Sequence, residues 1–397
     1  MHLEEERLVY LDNAATSWPK PEAVYQAMDR FMRGVGASPG RSGHRLSIAA
    51  GHIALEAREA VAQLLSIDDP LRLVFTSNVT VALNLALKGL LRPGDHVITT
   101  SVEHNSVIRP LRALEAQGVA VTVVECRPDG RLDQEGIELA IRPNSRLVVV
   151  NHASNVVGTV LPVQDIATVA SRHNCWLVVD AAQTLGAYPV SVDGVDILAF
   201  TGHKALYGPQ GTGGLYIRRG LEETLRPLYE GGTGSRSSQQ HQPDFLPDKY
   251  ESGTPNTVGL AGLAAGVRFV LEQGVEAIRA HEERLTRLLI DGLRSIPGVQ
   301  VYGTGDASRQ VAVVSFNVDG LAPSEVGRRL DEDFGVLCRV GLHCSPLAHQ
   351  TIGTFPTGAV RFSLGWFNTA ADVERAVDAV RRIAARSTKE KIRGKDH

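Results

Sequence analysis

The sequence is poor in cysteine. Its four cysteines are scattered at positions 126, 175, 338 and 344 of 397 residues, too few and too dispersed for a disulfide framework. That points to a reducing, cytoplasmic setting in which a cysteine can serve as a nucleophile. An excess of one charge sign is also missing: 41 basic residues face 44 acidic ones, for a formal net charge of −3. Without a basic surplus, phosphate-backbone binding is disfavoured as the main task, and no nucleic-acid partner is expected. No run approaches the ~20 apolar residues of a membrane span. The opening Met1-His2-Leu3-Glu4-Glu5-Glu6 lacks the basic and apolar regions of a signal peptide, so no membrane association is expected. Paired metal ligands are absent too. Cys338, His343, Cys344 and His349 are irregularly spaced, unlike the paired ligands of zinc sites, so no metal is expected. There is no internal repeat and no long low-complexity stretch.

What remains is ordinary for a globular chain: 43% hydrophobic and 21% charged residues. The length fits one large and one smaller domain. From about residue 70, short apolar runs alternate with amphipathic stretches. The runs predict strands at Arg72–Thr76, His96–Thr100, Ala120–Val124, Arg146–Asn151, Trp176–Asp180, Asp196–Thr201 and Gly213–Ile217. Helices are predicted at Asn78–Leu91, Asn105–Gln117, Gln134–Ile141 and Val163–His173. Such alternation implies an α/β fold with a mostly parallel sheet covered on both faces. Ligands of such sheets sit beyond the strands' carboxyl ends. Thr76, His104, Asn151 to Asn155, Asp180 and Lys204 fall there. A long helical stretch from Gly259 to Ile296, broken near Gly274, then leads to a smaller α+β pattern. That pattern has strands at Gln310–Val318 and Ala359–Leu364 and helices at Pro323–Asp333 and Ala370–Ala385. The expected division is a large domain at 15–260, and a small domain of 261–386 joined by the segment 1–14. Residues 387–397 are expected to be a disordered tail. Gly231–Gln242 reads as a mobile loop whose Arg236 closes near the substrate mouth.

Two motifs mislead. Gly36-Ala37-Ser38-Pro39-Gly40 spells the G-x-S-x-G of serine hydrolases, but that elbow must follow a strand and open a helix. Here a helix-like run, Glu22–Arg33, precedes it and Pro39 follows the serine, so a simple turn is the better reading. Gly208-Pro209-Gln210-Gly211-Thr212-Gly213-Gly214 lacks a Walker lysine and G-x-G-x-x-G spacing. Cys126 and Cys175 lie in or beside apolar runs and read as buried, inert thiols.

The chemistry concentrates in Phe200-Thr201-Gly202-His203-Lys204. A lysine is usually solvated, but one at a strand's carboxyl end in a glycine-rich setting is placed for Schiff-base formation. Earlier in the chain, Val178-Val179-Asp180-Ala181-Ala182-Gln183 ends another strand with an aspartate. Alone, Asp180 reads as a helix cap. Together with the lysine it makes the pairing that pyridoxal 5'-phosphate (PLP) needs.

Ordered motifs along almost the whole chain carry a resemblance. They run from Tyr10-Leu11-Asp12-Asn13-Ala14-Ala15 through His203-Lys204 and Glu251-Ser252-Gly253-Thr254-Pro255-Asn256-Thr257 to Arg361-Phe362-Ser363. The chain resembles the class V PLP enzymes of transferase fold type I, within them the cysteine desulfurase and selenocysteine lyase family. The resemblance implies a large domain with a seven-stranded sheet between helices, and a smaller C-terminal α+β domain. It implies Lys204 as Schiff-base lysine and proton carrier, Asp180 as partner of the pyridine nitrogen, His104 as the ring-stacking histidine and Gln183 as donor to the phenolic oxygen. Thr80, Thr201 and His203 resemble the phosphate cup, completed by Thr254 of a second subunit; this implies a homodimer. Thr80 falls in the first turn of a predicted helix, where N–H groups favour an anion. Asn155 and Arg361 resemble the clamp on the substrate carboxylate, which a planar guanidinium suits. Asn13, Ala14, Arg339 and His44 complete the substrate site, His44 reaching the neighbouring subunit's.

Cys344, in Arg339-Val340-Gly341-Leu342-His343-Cys344-Ser345-Pro346, resembles the nucleophile of the group II desulfurases. That implies transfer of sulfur from L-cysteine to Cys344 as a persulfide, release of L-alanine, and a sulfur-acceptor protein. Arg339 and His343 are expected to favour the Cys344 thiolate. The rivals are a selenocysteine lyase, another class V activity such as an aminotransferase or epimerase, and a non-catalytic scaffold. The chain departs from the usual family pattern at Val79, Asn105 and Leu342.

Overall fold

The computed structural model describes residues 8–40 and 43–393. Its main sheet has seven strands, in the spatial order Leu73–Thr76, Gly213–Ile217, Ile197–Thr201, Trp176–Asp180, Ser145–Asn151, His96–Thr100 and Ala120–Val124. The first two neighbour pairs to involve Gly213–Ile217 are antiparallel, and the other pairs are parallel. All seven lie within one residue of the runs read from the sequence. Their composition explains why. Leu147, Val148, Val149 and Val150 are fully buried, as a parallel strand covered on both faces requires. Leu147 and Val149 join Val97, Val178 and Ile197 in one core. Val148 and Val150 join Ile98, Leu177 and Val179 in the other.

The helices between the strands are fixed at their starts. Asn78 accepts a hydrogen bond from the Val81 N–H and begins Val79–Leu90. His104 accepts one from the Ser106 N–H and begins Asn105–Glu115. Each satisfies a donor that a helix N-terminus leaves unpaired. The antiparallel strand depends on close backbone approach: a side chain at Gly214 would strike the Val74 carbonyl and the Phe200 ring.

A second sheet of four antiparallel strands follows the order Arg339–Gly341, Ala359–Ser363, Val313–Val318, Val299–Tyr302. It packs its own core with the helices Val275–Arg294, Pro323–Phe334 and Ala370–Arg393. Val9–Tyr10 pairs in parallel with Val336–Leu337, so the start of the described chain joins this second core.

The sequence reading overlooked three kinds of element. The helix Arg45–Leu64 is rich in alanine and lacks a sharp apolar stripe. The strands Val336–Leu337 and Arg339–Gly341 are too short to show a period. The last helix runs to Arg393 rather than fraying at 387, because 387–393 contain strong helix formers and neither glycine nor proline. Residues 394–397 of the expected tail lie outside the described residues. Among the described residues, no single helix is long and apolar enough to cross a membrane.

Candidate active site

Asp180, Asn151 and Thr201 end neighbouring strands of the main sheet. Beyond them lies a cavity of about 200 Å³ lined by Ala14, Thr80, His104, Asn155, Asp180, Gln183, Thr201, His203, Lys204, Arg339 and Arg361, with Asn78, Ser106, Asn151 and His343 among the rest. Loops after the strands bring these groups together from most of the chain length. Gly202, two residues before Lys204, lets the backbone pass close to Thr212 and Leu263, which a side chain there would strike.

The electrostatics follow from burial. Lys204 is pushed down from 10.5 to about 8, chiefly by desolvation and partly against the attraction of Asp180. Asp180 accepts a hydrogen bond from the Ala182 N–H at 2.9 Å, and its burial raises the carboxyl above its ordinary value. His104 is pushed down to about 4 by burial and by the cations Lys204, Arg339, Arg361 and Arg109. Its Nδ1 bonds the Ser106 N–H and hydroxyl. His104 is therefore a neutral ring at working pH. Thr80 shares a 2.7 Å hydrogen bond with the Ser106 hydroxyl, and Gln183 donates to the Ala14 carbonyl. Asn13 faces a smaller adjoining cavity and donates to Asn368 and the Ser363 carbonyl.

Arg361 is 1% exposed. It donates to the Asn155 carbonyl at 2.9 Å and to Asp12 at 2.8 Å, while its Nε has no partner. Asn155 in turn donates to the His343 carbonyl and accepts from Ser345, tying the cavity to the Cys344 loop. Cys344 is exposed, with its sulfur 3.4 Å from Nη2 of Arg339. His343 and Cys344 both adopt left-handed backbone, at φ +50° and +60°, which non-glycine residues hold only against strain. His343 does not face the thiol as a cation. It is buried against His349, 3.2 Å away, and desolvation pushes it down to about 2. Arg339 supplies the positive charge in contact with Cys344, and Arg361 adds a second, more distant one.

Besides Asn13 in the adjoining cavity and Cys344 on its exposed loop, two more expected residues lie outside this cavity. Thr254 is exposed on a loop, and His44 caps the helix Arg45–Leu64 through the Ser47 N–H. Arg236 also lies elsewhere, over the Phe245 ring and beside Asp244. Sequence reasoning missed Asp12, although it sits in a quoted motif, and Ser106, two residues after His104. It also missed the His349 contact, because His349 read as one of several irregularly spaced metal candidates. Among the described residues, no group of three or more His, Cys, Asp or Glu is placed to hold a metal ion. Cys126 and Cys175 are buried, and burial pushes Cys126 up to about 12.

The class-V aminotransferase family profile matches residues 9–376. A probable cysteine desulfurase of Methanothermobacter thermautotrophicus is 35% identical over 95% of this chain and 94% of that protein. One of Halobacterium salinarum is 38% identical over 96% and 93%. Among solved structures, the apo cysteine desulfurase of Thermococcus onnurineus superposes with a TM-score of 0.90 at 34% identity, covering 95% of each chain. A cysteine desulfurase of Escherichia coli superposes at 0.83 and 29% identity, covering 94% of each. A family profile and a fold that agree over nearly the whole length lead to one conclusion: the chain belongs to the class-V aminotransferase family.

Proposed function

We propose that this protein is a PLP-dependent cysteine desulfurase that converts L-cysteine to L-alanine and takes the sulfur onto Cys344. The observation that carries the reading is an exposed thiol, held beside Arg339 on a strained loop, at a cavity lined by Lys204, Asp180 and Arg361.

The cavity suits PLP. Asp180 is a buried carboxyl in want of a cation, and a protonated pyridine nitrogen is one. His203 Nδ1 is buried without a partner and could donate to a phosphate oxygen, with Thr80, Thr201 and the helix start at Val79 alongside. His104 presents a neutral ring for stacking, and Gln183 an amide. When bound, PLP supplies an electron sink for the charge left as the substrate's Cα–H bond breaks.

The chain's residues do the rest. Arg361, through its unpartnered Nε, and Asn155 would hold the substrate carboxylate. Lys204, brought to about 8, has enough free amine near neutral pH to bind the cofactor and to carry the Cα proton. The Cys344 thiolate attacks the substrate sulfur: an S–S bond forms, the Cβ–S bond breaks, and alanine leaves. Arg339 stabilises the thiolate in that attack.

Thr254 lies away from its own chain's cavity, which favours a homodimer whose phosphate cup takes Thr254 of the partner subunit. A sulfur-acceptor protein would then discharge the exposed Cys344. The division into a large domain at 15–260 and a small domain of 1–14 with 261–386 is part of the same proposal.

The test is alanine and sulfide release from L-cysteine with a thiol reductant present. Equal amounts from the wild type, and neither from Cys344→Ala, support the reading. If Cys344→Ala stays active on L-selenocysteine and the wild type ignores L-cysteine, the protein is a selenocysteine lyase. Turnover of amino acids lacking sulfur or selenium would mark another class V activity.

A further inference from the structure

We infer that Lys20 is a positioning residue for Lys204, its ammonium clamping the main chain that carries the catalytic lysine. Lys20 lies in Thr16-Ser17-Trp18-Pro19-Lys20-Pro21, a segment the proposed mechanism does not use. A lysine normally keeps its head in water. This one turns inward, with Nζ 2.8 Å from the His203 carbonyl oxygen and 2.7 Å from the Ser17 hydroxyl.

The same carbonyl also receives the Ser17 N–H at 3.0 Å and the Thr16 hydroxyl at 3.0 Å. The single hydroxyl proton of Ser17 goes to the Lys204 carbonyl, at 2.7 Å. The peptide planes on both sides of Lys204 are therefore held from one segment, which sets the direction of the Lys204 side chain. An oxygen with two lone pairs does not need three donors. Without Lys20 the carbonyl keeps its neutral partners, so the fold has no reason to fail. What Lys20 adds is a charge-assisted bond, stronger than those of its neighbours, and a partly buried cation that acts on His203. Desolvation brings Lys20 down to about 8, and burial, then Lys204 and then Lys20, push His203 down to about 4 and keep it neutral.

This inference rests on the desulfurase reading for its substrate, but its main readout does not. In the PLP-loaded protein, Lys20→Met should move the pH midpoint of the cofactor's visible band by about half a unit or more, because a loosened Lys204 changes its distance from Asp180, Arg361 and Arg339, the charges that act on it. Its kcat for L-cysteine should fall about tenfold. KM should change little, because Arg361 and Asn155 hold the carboxylate from elsewhere. Lys20→Arg, which keeps the charge, should restore both values most of the way. The inference is overturned if Lys20→Met keeps the wild-type midpoint and kcat. It is equally overturned if the losses accompany a collapse in melting temperature that Lys20→Arg does not rescue, since that marks a merely structural role. Should the wild type release no alanine, the desulfurase reading fails, while the spectral midpoint still decides the role of Lys20.

Discussion

Replacing His349 with leucine should disarm Cys344 without touching it. His349 is completely buried and stands between two partners: the Thr354 hydroxyl at 2.7 Å from its Nδ1, and His343 Nδ1 at 3.2 Å from its Nε2. Both rings stay neutral, pushed down by burial to about 2 for His343 and about 4 for His349. Each ring then has one proton to give. One polarity satisfies every atom: Thr354 donates to His349, His349 to His343, and His343 Nε2 to the Arg339 carbonyl at 3.4 Å. Leucine keeps the apolar bulk but strands His343 Nδ1, while the Thr354 hydroxyl falls back on the residue 349 carbonyl at 3.4 Å. A buried orphan costs roughly 1–3 kcal/mol, so the variant should lose about that much stability. The left-handed backbone at His343 and Cys344 stores strain of about 1–3 kcal/mol per residue, and a loosened loop would relax it. A thiol displaced by about 1 Å costs on the order of 100-fold in rate. Urea unfolding would measure the first loss and alanine release from L-cysteine the second. Exchange of the substrate's Cα proton in heavy water, which precedes sulfur transfer, should continue. A variant within about 0.5 kcal/mol of wild type and fully active would refute the reasoning.

Two further outcomes are expected. In the cofactor-free protein, Lys204→Met should raise the melting temperature at pH 7. The folded lysine titrates near 8 and the unfolded one near 10.5, so the wild type carries a penalty that is full below pH 8 and fades as pH rises toward 10.5. The variant's advantage should shrink over that window, and an advantage independent of pH would contradict the shift. Mixing Lys204→Ala with Thr254→Ala subunits should recover about a quarter of wild-type activity if the cup is shared across a dimer, because only the mixed pairs hold one intact site. No recovery on subunit exchange would place Thr254 outside the cup.

Much of the main sheet was legible because covered parallel strands must be apolar on both faces. Runs such as Leu147 to Val150 can hardly be anything else in this context. Elements defined by their partners were not legible. Val336–Leu337 is a strand only because Val9–Tyr10 lies beside it. For the cavity, local motifs indicated groups at strand ends such as Asp180 and Lys204. They could not show that Arg361 would meet Asp12, since that ion pair joins distant ends of the chain and leaves no local pattern. Nor could spacing show which way His343 faces. A histidine next to a cysteine looks like an activating cation until burial against His349 makes it a neutral strut.

The pairing of the chain's two ends also bears on how the protein is made. Asp12 waits for Arg361, 349 residues later, and Ala14 for Ser363, also 349 residues on. Contacts so remote in sequence form late, because loop closure must be paid before they give anything back. The main sheet can collapse while synthesis continues, but its pocket stays unwalled on one side until the last strands have emerged from the ribosome. A chain lacking the strand Ala359–Ser363 would keep every strand of the main sheet, yet lose both Arg361 and the Ser363 hydroxyl that receives the Ala14 N–H.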